Sequence, residues 1–288
     1  ELFKIISEPI ADHIGGFTAI VLFTGAFYWV FSWFREQVCI IACPYGRLQG
    51  VLLDNKSIIV AYDHKRGEDE NGRKKFRKNE VDKQKKWIDM ITILGGKYCR
   101  VLSGQKRPGL SLDEGIKFAS DSINECLPYA KSNGITLILE NHYKDGFWKY
   151  PEFAQKMDVF LDLVNSIEDR ENFGVQFDPS NAIVAGDDPV ELLRHVASRV
   201  VSMHASDRYL EAGANIDELR QSDGTLGYSA KLKHGVTGKG LNDFDTIFRI
   251  LKENNYQGWV SIEDGMNGME EMAESLAFLR MMSQKYFS

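Results

Sequence analysis

The stretch GITLILENH, residues 134–142, is a short apolar run that stops abruptly on an acid, Glu140, followed by Asn141 and His142. Its length and apolar content, with a turn signal in front, mark a buried β-strand. A carboxylate at the point where such a strand leaves the apolar layer is usually a turn or cap residue. The same form recurs, however. FGVQFD (173–178) ends on Asp178, VVSMHAS (200–206) carries His204 near its end, and GWVSIED (258–264) ends on Glu263. KYCRVLSG (97–104) is a fifth strand of the same character.

Between the strands lie amphipathic stretches at 111–132, 151–169, 188–198 and 243–255, with a last one at 268–286. Ser111 and Glu114 have capping-box spacing, and Asp178-Pro179 and Asp188-Pro189 punctuate loops. Strands alternating with helices predict a parallel α/β fold. In a (β/α)8 barrel the C-terminal strand ends converge on one mouth. Glu140, Asp178, His204 and Glu263 are then expected to meet there. Three carboxylates and an imidazole suit a divalent cation such as Mn, Mg, Co or Zn.

The phrases LILENH, GVQFDPSN, VVSMHASD, HGVTGKGLNDF and GWVSIEDG resemble the sugar phosphate isomerase/epimerase family, whose fold is a xylose isomerase-like TIM barrel. The resemblance covers residues 81–288. It implies metal ligation by Glu140, Asp178, His204 and Glu263, with Glu140 and Glu263 as the catalytic acid/base pair. Moving a proton next to a carbonyl of a sugar or sugar phosphate needs a base, an acid and a cation to stabilise the enediolate. His142, Arg208, Lys239 and His234 are candidates for substrate contacts. GVTGKG lacks the Walker spacing and is a weak phosphate-loop signal. Endonuclease IV-type DNA repair enzymes share the fold, and His234 matches one of their zinc histidines. Asn181 and Leu232 stand where further zinc ligands would be needed.

The front of the chain reads differently. Ile14 to Phe34 holds 21 residues without a charge. As a helix it would span roughly 31 Å, the thickness of a hydrocarbon core. Tyr28, Trp29 and Trp33 gather toward one end, and Arg35, Arg47, Lys56, Lys65 and Arg66 all follow. This predicts a transmembrane anchor through 14–34 with the barrel on the cytoplasmic side. Beyond it, REQVCIIACPYGRLQGVLLD and IVAYDHKRGE resemble the membrane-bound iron–sulfur accessory proteins of cytochrome c oxidase assembly. Cys39 and Cys43 form a C-x3-C-P pair and are the redox or cluster candidates. No cluster-type cysteine run follows, and only Cys99 and Cys126 remain, so no iron–sulfur cluster is expected. A membrane-anchored redox or assembly factor is the alternative function.

These readings divide the chain into 1–80 and 81–288 and imply a join of two gene fragments near Glu80–Val81. The barrel would then be incomplete, with about six of eight units and its first two strands missing, and its activity impaired. Ten Lys and Arg between Lys65 and Lys86 read as a solvated linker or a cytoplasmic flank rather than a ligand site. The net charge of -6 gives no case for nucleic acid as a partner. Four scattered cysteines exclude a disulfide scaffold.

Overall fold

The computed structural model describes residues 14–33, 70–144, 148–216, 231–263 and 268–287. The chain divides into two compact units, Glu1–Ser57 and Ile58–Ser288. In the first, α1 (Ile14–Trp33) is a helix of 20 residues. Thr18 Oγ1 donates to the Ile14 carbonyl at 2.7 Å. Among the described residues no helix is long and apolar enough to cross a membrane. This overturns the expected anchor at 14–34, and with it the membrane-anchored localisation. Gly15, Gly16 and Gly25, with Thr18 and Thr24, dilute the apolar run. Cys39, Cys43 and the strand candidate SIIVAY (57–62) lie outside the described residues.

The second unit begins, among described residues, with α2 (Glu70–Ile93). This helix passes Glu80–Val81 without a break, and Val81, Ile88 and Ile91 bury their side chains in the main core. The basic run is therefore helical from Glu70 onward. Its charges are partly used: Lys83 pairs with Glu80 at 2.5 Å, and the Arg77 guanidinium sits 5.3 Å from the Phe118 ring centroid.

Strands and helices then alternate. β1 (Tyr98–Val101), α3 (Leu112–Ser132), β2 (Thr136–Glu140), α4 (Met157–Asn165) and β3 (Phe173–Phe177) come first. They are followed by α5 (Pro179–Ala185), α6 (Pro189–Val196) and β4 (Val200–Ala205). Next come a hairpin-like ribbon of β5 (Asp207–Leu210) and β6 (Leu232–Gly235), then α7 (Phe244–Glu253), β7 (Trp259–Ile262) and α8 (Met269–Phe287). Five strands form one parallel sheet in the order β1-β2-β3-β4-β7. The described architecture is thus a partial barrel of five parallel strands, one fewer than the six units expected. β5 and β6 stand apart as an antiparallel pair.

Local chemistry accounts for the boundaries. Ser111 and Glu114 form the capping box at the start of α3, each side chain bonding the other's backbone N–H. Asp178 caps α5, Pro179 occupies its first turn, and Gly186 closes it at φ 81. The Asp-Pro pair is a helix start here, where sequence alone suggested a loop. All five residues of β3 are buried, as a strand covered on both faces must be.

If α2 is integral to this unit, Ile88→Ala should cost about 2–5 kcal/mol in urea denaturation. Ile93→Ala, 79% exposed at the end of the same helix, should change stability by no more than about 0.5 kcal/mol. Equal, negligible effects would detach α2 from the core.

Candidate metal centre and active site

β2 delivers Glu140, β3 leads into Asp178, β4 carries His204, and Glu263 follows β7 directly. One donor atom from each lies within 4.8 Å of the others. Parallel pairing brings this about. Glu140 is level with Gln176, Gln176 with Ser202, and His204 with Ser261. Between Val175 and Gln176 the register with β4 shifts by one residue, which sets Ser202 and His204 on the face of Gln176.

His204 is the hub. Its Nδ1 lies 3.0 Å from Glu263 Oε2, 3.2 Å from Glu140 Oε1 and 3.5 Å from Asp178 Oδ2. The carboxamide nitrogen of Gln176 packs against the ring, 2.5 Å from His204 Nε2 and 3.3 Å from Nδ1, while Nδ1 faces the carboxylates. Burial alone would lower the His204 pKa, but the charge of Glu140 and the hydrogen bonds the imidazole donates to Asp178, Glu140 and Glu263 raise it well above its ordinary value.

The three acids differ. Glu140 is fully buried; burial opposes its charge, yet Arg100 and then His204 hold its carboxyl well below the usual range. Arg100 Nη1 donates to Glu140 Oε2 at 2.5 Å. The other oxygen, Oε1, is buried and has only the ion-pair contact with His204 Nδ1 at 3.2 Å. Asp178 is also held low, burial being outweighed by His204. Its Oδ1 accepts from Ser180 N, Asn181 N and Ser206 Oγ at 2.7 to 3.0 Å, so only Oδ2 faces His204. Glu263 keeps 45% of its side chain exposed. Desolvation, with Asp178 and Glu140 nearby, pushes its pKa up to about 7. A buried carboxylate oxygen with no well-made hydrogen bond, a half-used aspartate and an imidazole among three carboxylates fit a divalent cation.

The other sequence candidates lie outside the four-residue group. His142, two residues past Glu140, bonds Glu152 Oε2 through Nδ1 at 2.9 Å. Glu152 is anchored in turn by Ser103 N and Oγ at 2.7 and 2.8 Å. Arg208 is buried in β5 and stands opposite His234 of β6. Lys239 forms an exposed ion pair with Glu274. Asn181 spends its N–H on Asp178, and Leu232 is buried.

Several contributors were not singled out from sequence. Arg100 and Gln176 look like stray polar residues in apolar strands, although period-2 alternation sets both on the inward face. Asn141 exchanges two bonds with the Asp178 backbone, donating at 2.6 Å and accepting at 2.7 Å. Asp207, fully buried, accepts from Gly238 N and Gly240 N at 2.9 Å and from Asn242 N at 3.2 Å. Within GVTGKG the Gly238 and Gly240 amides thus serve Asp207, Thr237 N bonds Ser275 Oγ and Lys239 N the Val236 carbonyl, and the weak phosphate-loop signal fails on that account. A Cβ at Gly240 would fall 2.3 Å from both Arg208 O and Asp207 Oδ1, so only glycine fits. Cys99 and Cys126 are buried free thiols, pushed up to about 12 by burial.

The family model described as "Xylose isomerase-like TIM barrel" matches residues 15–282. The chain belongs to that family. The match runs through Glu80–Val81 and through the front segment, and so lends no support to a join there or to an oxidase accessory origin. Among curated proteins, inosose dehydratase of Clostridium beijerinckii is 25% identical over 154 residues, 52% of this chain and 47% of the relative. The enzyme of that name from Clostridium botulinum strain Eklund 17B is 31% identical over 106 residues, 36% of this chain and 34% of the relative. The chain thus spans about half or less of the length of these relatives. Among solved structures, the IolI protein with a bound zinc atom superposes with a TM-score of 0.58 at 19% identity, covering 80% of this chain and 76% of that one. A D-tagatose 3-epimerase-like protein gives 0.57 at 21% identity, covering 74% and 72%.

If a cation binds among these four donors it must displace protons from Glu263 and His204, both of which hold them more tightly than usual. Below about pH 7, Zn2+ affinity should therefore fall about tenfold per pH unit for each proton displaced. Calorimetric titrations in buffers of different ionisation enthalpy should show proton release. Affinity independent of pH between 5.5 and 7 would remove Glu263 and His204 from the ligand set.

Proposed function

We propose that the Ile58–Ser288 unit is a divalent-metal-dependent enzyme that moves a proton next to the carbonyl of a sugar or inosose. One observation carries this reading: four donors from four different strand ends converge on one point at the mouth of a partial barrel. The bound zinc of the IolI protein and the inosose dehydratase relatives support it. Glu140, Asp178, His204 and Glu263 would hold the cation. When bound, it would supply positive charge to the oxygens flanking the carbon that loses its proton.

The chain's own residues divide the remaining work. Glu263 is the carboxylate with access to substrate, and takes the proton from carbon. Glu140, expected to complete the acid/base pair, is buried with Oε2 on Arg100, so its part is to stay ionised and hold the cation. His142, held by Glu152, is placed two residues beyond Glu140 to bond a substrate hydroxyl. Returning the proton to carbon gives isomerisation or epimerisation. Passing it to the neighbouring hydroxyl and expelling water gives dehydration, the reaction named for the curated relatives.

The loop at 235–242 argues for an unphosphorylated substrate. Its Gly238, Gly240 and Asn242 amides are committed to Asp207, and Lys239 to Glu274. A DNA repair activity has weaker support, because Asn181 and Leu232 occupy positions where more zinc ligands would be needed.

Incubating the metal-loaded protein with an inosose or a ketose in D2O should exchange the proton next to the carbonyl, visible by NMR. Glu263→Gln should lower kcat by about 10²–10⁴ with little change in KM. Glu140→Gln should lose metal and turnover together. Exchange at wild-type rate in Glu263→Gln would reject this assignment.

A further inference from the structure

Resting on the metal-centre reading above, we propose that Arg100 is a positioning residue: its guanidinium takes one oxygen of Glu140 so that the other is presented to the cation. Sequence reasoning gave Arg100 no role, and it is not among the four grouped donors.

The residues of β1 alternate, with Cys99 and Val101 buried and Tyr98 and Arg100 half-buried. Cys99 faces α2, where Gln84 Nε2 contacts its Sγ at 3.0 Å. Arg100 therefore projects to the opposite side, toward the barrel interior. In the parallel register Arg100 is level with Ile138, two residues before Glu140. Two strand residues are about 6.6 Å, so reaching the carboxylate takes a side chain as long as arginine. Its Nη1 meets Glu140 Oε2 at 2.5 Å. That leaves Oε1 3.2 Å from His204 Nδ1, on the side of the other donors.

Without this contact a buried glutamate beside a cation could turn to offer both oxygens or could swing away. The planar, weakly hydrated guanidinium suits the task better than an ammonium, which is a point charge with freely rotating donors. Partners that orient a ligand typically change metal affinity by about 10–100-fold when removed.

The test is Co2+ binding to the purified full chain, followed by titration and by the visible absorption of the bound ion. Arg100→Met should weaken Co2+ binding by about 10–100-fold and alter the absorption bands, because Glu140 no longer presents a single oxygen. Arg100→Lys should lose less affinity and still show altered bands. Should Arg100→Met fail to fold, as judged by circular dichroism, Arg100→Lys decides alone. Wild-type affinity and bands in the folded variants would overturn the proposal while leaving the metal centre intact. A wild-type protein that takes up no Co2+ would overturn both.

Discussion

Three carboxylates within 4.8 Å of one another and of a single imidazole form an arrangement that must be forced. At about 4 Å and an effective dielectric of about 20, each like-charged pair costs roughly 4 kcal/mol. The fold offsets this with His204 at the centre and Arg100 at the edge, and by letting Glu263 hold its proton to about pH 7. Such a concentration of charge is sustained by a rigid scaffold. Here the scaffold is a parallel sheet whose strands are fixed in register by buried apolar faces such as that of β3, where all five residues are buried.

The supports around the cluster are made of ordinary backbone chemistry. Asp178 serves as the cap of α5 with one oxygen and faces the cluster with the other, so helix and site are built by one residue. Asn141 ties the end of β2 to the start of α5 through paired bonds to the Asp178 backbone. Asp207 gathers the amides of 238–242, and Thr237 donates to the Ala205 carbonyl at 3.1 Å. The β4 end carrying His204 is thereby tied to the loop that leads into α7.

Much of this was legible in the sequence because strand and site use the same residues. A run such as ITLILE states both where the strand is and which side chain it delivers. The five sequence-read strands contain β1, β2, β3, β4 and β7, and the helical stretches around α3, α6, α7 and α8 agree within a few residues. The α2 helix was harder, since a run of Lys and Arg is compatible with a solvated helix face as well as with a linker. Only the burial of Val81, Ile88 and Ile91 distinguishes them. The short α5 was hidden behind an Asp-Pro pair that also starts turns. Arg100 and Gln176 could not be ranked above chance, because their meaning depends on partners 40 and 28 residues away. At the front, an uncharged stretch read as a membrane anchor is a helix that falls short of one.

The central claim is that Glu140, Asp178, His204 and Glu263 act as one cation site. Metal stoichiometry tests it most directly. Elemental analysis after equilibration with Zn2+ and gel filtration should give one equivalent per wild-type chain. The Asp178→Ala and His204→Ala variants should each give close to none while retaining the far-ultraviolet circular dichroism of the parent. One equivalent retained in both folded variants, or none in the wild type, would contradict the account.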